Sequence, residues 1–499
     1  MRILLTISFV FFIISFVSFR KDKKWESRFV TVNKNGKLQY IPDEKGNILP
    51  DFSRVGYREG NVPLPHIAVV KTVEPSENAE EKIQSAIDEV SKRSPDPNGF
   101  RGAILLKKGS YLIPASIHID VSGIVLRGEG MDTRLVASGK VQRSLIRVSG
   151  KGAIKEISST RTKITDPYVP VGTHSFSVSS TDGFKTGDNI IVYRPGTEQW
   201  IKDLKMDQIE ARGGTKQWQP SEYNFKFERK ITKIEANKVF IDNPIVLAME
   251  PKYGQPEIYK YNFEGRISNV GIENLYCESE YESDTAENHG WDAIHFDKIE
   301  NGWVRNVTSR YFGYSCVNLD DDARNITVDS CNCLDAKSII TGGRRYSFNN
   351  TGQMNLFMNC HATEGRHDYV TGARVRGPNV FYNCTAKNTH ADIGPHHRWA
   401  MGTLYDNIVT DGEINIQDRG NWGSGHGWSG VNQILWNCTA KRVAVQSPYV
   451  NGKNYCIGLQ GEKYGGRLKG RPDGEWEGKD RKGLQPVSLY KAQLEERGK

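Results

Sequence analysis

An Asn followed by an aliphatic residue, at the head of a short strand-like run, recurs six times: Asn274-Leu275, Asn306-Val307, Asn325-Ile326, Asn355-Leu356, Asn379-Val380 and Asn407-Ile408. The intervals are 32, 19, 30, 24 and 28 residues. An Asn-Cys pair follows in several units, at Asn359-Cys360, Asn383-Cys384 and Asn437-Cys438, with Ser330-Cys331 in the equivalent place. Repetition on this scale means stacked units that bury a continuous core between neighbours. The runs alternate apolar and polar positions, as in Val304-Arg305-Asn306-Val307-Thr308, and no helical period separates them. A leucine-rich repeat would need a leucine-dense pattern that is absent. The fold these units predict is all-β, a right-handed parallel β-helix whose coils of about 25–30 residues carry three short strands and stack about 4.8 Å apart. Asn at one level is expected to stack on Asn at the next.

The chain of 499 residues, with 37% apolar residues and 49 glycines, is long enough for one solenoid plus an insert. Residues 1–24 read as a signal peptide: Ile3–Phe19 is almost wholly apolar between Arg2 and the run Arg20-Lys21-Asp22-Lys23-Lys24. Val17-Ser18-Phe19 is a poor cleavage motif, so an uncleaved anchor is the alternative. Either places the protein outside the cytoplasm, secreted, periplasmic or at the cell surface. A net charge of +8 favours an anionic partner. An acidic polysaccharide is expected, not a nucleic acid, and the chain is expected to be a monomer. All eight cysteines lie from 277 to 456. Stacked coils hold side chains too far apart for an unstrained bridge, so free inward thiols are expected.

Residues 25–159 form the N-terminal cap and first coils. The stretch 25–65 is expected to wrap the solenoid's N-terminal end. Asn78-Ala79-Glu80-Glu81 reads as a capping box before a helix with Ile83, Ala86, Ile87 and Val90 on one face. That helix is expected to cover the open end of the coil stack. Strands follow at Ala103–Leu106, Gly109–Ile113, Ile117–Ile119 and Ile124–Gly130. This order, a helix carrying Ile-Gln-x-Ala-Ile, then KKGSYLI, then VLRGEG, resembles the N-terminal coils of the pectate-lyase-like β-helix superfamily. The resemblance implies the fold and the cleavage of carbohydrate chains. It does not pick a reaction.

Residues 160–250 alternate like an antiparallel unit and are expected to form an inserted small β-domain. Its Tyr193, Trp200, Trp218 and Tyr223 either pack that insert or serve as sugar platforms. Coils resume over 251–458, and 459–499 reads as a basic tail ending in a short helix at Leu489–Arg497.

Eight of the eleven histidines fall between 289 and 426, a clustering that favours a site. Aligning DAIHFD (292–297), SCVNLD (315–320), KSIITG (337–342), HDYVTG (367–372) and HRWAMG (397–402) places His367 and His397 at equivalent strand ends on neighbouring coils. One face of the alignment presents His295 and Asn318, and Arg344, Arg345 and Arg374 follow just after the strands, so together they form a strip of expected substrate contacts. The motif GPHHRW (394–399) supplies His396 and His397, which are expected to point to opposite sides. It also brings Arg398 to clamp a carboxylate and Trp399 to stack on sugar or pack. RHDY (366–369) adds His367 and Tyr369. β-Elimination from a uronate needs a near-neutral base for the C5 proton and a cation at the carboxylate. His397 or His367 with Arg398 supplies both. The superfamily's lyases use Lys or Arg bases and often Ca²⁺, so this assignment comes from the residues and not from the resemblance.

Three alternatives stand beside the lyase. NLDDD (318–322) and Gly425-His426-Gly427 vaguely resemble polygalacturonases, which would imply a glycoside hydrolase, but over 100 residues separate the two. Asp297, Asp320 and Asp322 on neighbouring coils are candidates for a Ca²⁺ site, or simply make turns. A non-catalytic glycan-binding solenoid would not need the histidines.

Overall fold

A computed structural model describes residues 23–498, so nearly all of the leader lies outside the described residues. The rest is an all-β protein, a right-handed parallel β-helix with a capping helix and an inserted β-domain. The helix Ala79–Ser91 lays Ala79, Ile83, Ala86, Ile87 and Val90 onto the first-coil strands Val69–Val73, Gly109–Ile113 and Ile117–Ile119. The capping box does not form. Asn78 has φ −100° and ψ 45°, away from the extended geometry an N-cap uses, and its side chain makes no cap bond.

The repeat asparagines sort into three columns. Strand register stacks Asn274, Asn306, Ser330, Asn359, Asn383, Asn407 and Asn437 in one turn column, all left-handed with φ of 52–58°. Asn adopts this conformation at least cost among residues with a side chain. Its amide then donates to the preceding coil: Asn306 to Asn274 at 3.1 Å, Asn383 to Asn359 at 2.8 Å and Asn437 to Asn407 at 2.8 Å. Asn325 belongs to a second left-handed column with Asn269 and Asn301. Asn355 and Asn379 form a buried third column, whose side-chain oxygens accept the main-chain N–H of Ile326 and Asn355, each at 2.9 Å. The anomalous 19-residue interval arises because Asn306 and Asn325 occupy different columns. The eight cysteines are buried and unpaired.

The insert is wider than 160–250. Its antiparallel sheet begins at Lys155–Glu156 and closes at Glu257–Asn262, which pair with each other. Trp200, Trp218 and Tyr223 are buried in one cluster with Trp399 and Trp428 of the solenoid, so they are packing residues and not sugar platforms. Tyr193 lies beneath the Arg161 guanidinium. Buried Glu228 of the insert also pairs with Arg266 at 2.6 Å and Arg324 at 3.0 Å at the solenoid.

Both terminal segments are built into the solenoid. Trp25–Glu26 pairs with Leu484–Gln485. Residues after it run along the coils, packing Leu49, Phe52 and Val55 against Leu356, Val380, Leu404 and Ile434. The segment is thus a strap along the stack, not a wrap around its N-terminal end. Beyond 458 the chain adds strands Gln460–Lys463 and Glu475–Glu477 to the stack, and the helix Leu489–Arg497 buries Leu489 and Tyr490 in the strap's cluster. The expected tail is the last coil plus a clasp, because its apolar residues complete that core.

Candidate active site

The sheet register puts His295 beside Asn318, as the alignment of DAIHFD with SCVNLD requires. From there the column continues to Asn349, Val370 and Gly394. KSIITG therefore does not continue the column, and HRWAMG leaves this sheet, since Ala400–Asp406 pairs with Arg376–Tyr382. The inward apolar residues decide the register: Phe348 stacks on Tyr369 at 5.5 Å in the core. His367 and His397 are accordingly not at equivalent strand ends.

They meet in a cleft of about 600 Å³ over the outer face of this sheet, walled by Tyr346, Arg366, His367, Asp392, His396, His397, Arg419, Trp422 and His426. Gly394 allows the approach. It has φ 129°, and a Cβ there would stand 2.6 Å from the carbonyl oxygen of Asn415 on the next coil. After Pro395 the chain reverses through left-handed Arg398 and Trp399, at φ 53° and 71°. His396 and His397 consequently face one cleft, with ring centres 5.1 Å apart, and do not point to opposite sides. His396 lies 4.5 Å from His367 and 5.0 Å from His426, and His397 lies 4.8 Å from His426. Tyr346 meets His367 at 4.9 Å and His396 at 5.4 Å.

These imidazoles are held neutral. Burial depresses His367 to about 4, with Arg366 and Arg419 adding to the effect against Asp392. Burial, His426 and Arg398 depress His397 to about 3, and burial with Arg419 depresses His426 to about 4. His396 is pushed well below the ordinary range by burial, His367 and Arg419. Nε2 of His367 and Nδ1 of His396, His397 and His426 are buried without a hydrogen-bond partner. Burial raises the Tyr346 phenol, so it stays protonated at neutral pH. Arg419 is paired with buried Asp392, whose carboxyl it holds ionised against the effect of burial. The Arg467 guanidinium, 4.6 Å from the Trp422 ring centre, backs the far wall.

Several predicted site residues stand elsewhere. Tyr369 is buried in the core, its hydroxyl donating to the carbonyls of Cys360 and Thr385 at 2.9 and 2.6 Å. Trp399 is fully buried under the insert. Arg398 is also buried; it donates to the Ser424 carbonyl at 3.0 Å and lies 3.5 Å from Glu222, fixing the 419–427 loop instead of facing the cleft. Arg344 is engaged bidentately by Glu287 at 2.6 and 2.9 Å. Buried Arg345 donates to the Ser338 carbonyl. Arg374 lies over Tyr223 of the insert. Asn318 accepts from Asn349 at 2.8 Å, outside the cleft. His295 pairs with Asp320 at 2.8 Å; burial opposes its charge, but that bond raises its pKa overall.

Two of the three aspartates expected at a Ca²⁺ ion have partners of their own, Asp297 with Lys298 and Asp320 with His295. Lys298 donates to Asp297 at 2.7 Å, and that bond, with the charges of Asp322 and Asp320, raises its pKa. The ammonium thus supplies the positive charge that a metal would bring. Among the described residues no group of three or more His, Cys, Asp or Glu side chains is arranged to hold a metal.

Tyr346, Asp392, Arg419, Trp422 and His426 line the cleft but lie outside the five aligned hexamers. Asp392 was within reach, since DIGP matches YVT once inward positions are aligned. Tyr346 and Trp422 lie outside the strands, where no strand period marks them.

No family model and no curated protein matches the chain. Solved structures similar to it include the tailspike protein gp49 from Pseudomonas phage LKA1, at 12% identity and TM-score 0.37 over 79% of this chain and 69% of that one. An alginate lyase from Paenibacillus sp. str. FPU-7 aligns at 9% identity and TM-score 0.39, covering 83% and 99% respectively. An endo-xylogalacturonan hydrolase from Aspergillus tubingensis aligns at 8% identity and TM-score 0.41, covering 82% and 91%.

Proposed function

We propose that this protein is an extracytoplasmic polysaccharide lyase that cleaves an acidic, uronate-bearing chain by β-elimination. The carrying observation is the composition of the cleft. It offers four neutral imidazoles with unpartnered nitrogens and a protonated phenol, but one carboxylate, Asp392, and Arg419 already engages it. An inverting or retaining glycosidase needs two carboxyl groups across the scissile bond. Proton abstraction needs a neutral base and a cation, and both are present.

In this reading Nε2 of His367 takes the C5 proton. The Arg366 guanidinium and the remaining Nε–H of Arg419 hold the substrate carboxylate, where negative charge grows. The electron pair released at C5 forms the C4–C5 double bond as the C4–O4 bond breaks, and Tyr346 gives its proton to O4. His396, His397 and His426 stay uncharged and shape the pocket, whose positive charge comes from Arg366 and Arg419.

The test is incubation with a panel of acidic polysaccharides, read both by ultraviolet absorbance of the new double bond and by reducing ends. Absorbance rising in step with reducing ends is expected. Reducing ends without absorbance would move the protein to the hydrolases.

A further inference from the structure

A second cavity of about 600 Å³ lies on a different face of the solenoid, over the sheet that contains Gly102–Leu106 and Ile124–Arg127. Arg58, Arg93 and Arg101 line it. Their guanidinium groups donate to main-chain carbonyls, Arg58 to that of Asn98 at 3.0 Å, Arg93 to that of Arg101 at 3.1 Å and Arg101 to that of Ser122 at 3.1 Å, and Arg58 also lies 5.5 Å from the Tyr57 ring centre. None of the three has a carboxylate partner among the described residues. Asp96 also lines the cavity, but its Oδ1 accepts the main-chain N–H groups of Asn98 and Phe100, each at 2.9 Å.

The walls between these charges are aliphatic, from Val62, Pro63 and Pro65. Tyr57 and Phe100 are buried and turned edge-on to Trp303, at 5.1 and 6.0 Å, so no aromatic face is offered for a base to stack on. Unpaired planar forks beside aliphatic surface suit a sugar ring that carries a carboxylate or sulfate. We propose that this groove is a second binding site for a polyanionic saccharide chain, distinct from the histidine cleft. It shares with the proposed function only the premise that the protein meets acidic glycans.

The test is calorimetric titration of the full chain with size-defined alginate and dextran sulfate oligosaccharides, which separate carboxylate from sulfate. Neutral dextran and a single-stranded oligothymidine serve as controls. Arg58→Ala/Arg93→Ala is compared with His367→Ala, and Arg58→Gln/Arg93→Gln repeats the groove change with more of each stem retained. The groove variants should weaken or remove one binding event, with affinity falling about tenfold or more for two lost charge-assisted contacts. His367→Ala should leave that event intact, and the groove variants should keep any turnover of short substrates. If both folded groove variants titrate like the unaltered protein, or if oligothymidine binds as tightly as the saccharides, the proposal fails. Because binding is read directly, a cleft that turns over no polysaccharide leaves this result standing.

Discussion

His367 donates its Nδ1 hydrogen to the main-chain carbonyl of Asp392 at 2.7 Å, which leaves Nε2 as a bare lone pair in the wall of the cleft. A carbonyl only accepts, so this bond fixes the tautomer. Replacing His367 with Ala should lower kcat about 10²- to 10⁴-fold, the usual worth of a positioned base, with KM changed little. Tyr346→Phe should also lower kcat while leaving the aromatic packing in place. Steady-state kinetics on variants with native circular dichroism check both.

The depressed histidines set an acid limit. The kcat/KM profile of the free enzyme should hold through the ordinary histidine value of 6.5 and fall only as pH approaches about 4. A limb at 6.5 or above would show that the titrating base is not one of these buried imidazoles. Stability follows the same groups. Their contribution is complete above 6.5 and is lost as pH falls towards about 4, because the unfolded chain takes up protons first. Denaturant unfolding of a His397→Asn/His426→Asn variant should therefore be less acid-sensitive in that window.

Asp368 works in the opposite sense. It is buried, Ser347 donates to its Oδ1 at 2.7 Å, Oδ2 has no partner, and burial raises its pKa from 3.8 to about 7. A raised folded pKa stabilises below 3.8 and loses that contribution as pH climbs through about 7. Asp368→Asn should gain stability relative to the unaltered protein between those pH values, and the gap should be flat above them. Chemical denaturation across that range reads it.

Arg419, and not Arg398, is the arginine that lines the cleft. Arg419→Lys keeps the charge but loses the fork that spans Asp392 and the cleft, and should reduce kcat/KM about tenfold or more. Arg398→Lys should act mainly through the 419–427 loop, lowering Tm with a smaller effect on rate, since Arg398 is committed to Ser424 and Glu222. Equal kinetic damage from both would return Arg398 to the substrate.

The solenoid was legible because its signal is distributed: each coil repeats the alternation, and Asn marks each left-handed turn. The same residue type serves three columns, so Asn306 and Asn325 look like one series until hydrogen-bond register separates them. The candidate site was half legible. Clustering pointed to His367, His396 and His397, whereas His295, His361 and His390 are occupied by Asp320, Thr385 and Glu364. Which neighbours face the cleft depends on the turn at Arg398–Trp399 and on the insert packing over Trp399, and neither has a sequence period. Tyr369 shows the limit most plainly. It stands two residues after His367 but opens the strand Tyr369–Thr371, which turns it into the core, while Tyr346, a coil away, meets the histidine.

Cleavage of an acidic polysaccharide in heavy-oxygen water, with products weighed by mass spectrometry, separates elimination from hydrolysis. Elimination predicts products with one unsaturated end, lighter by one water than a hydrolysis product and free of the label. Saturated products carrying heavy oxygen at the new end would contradict it.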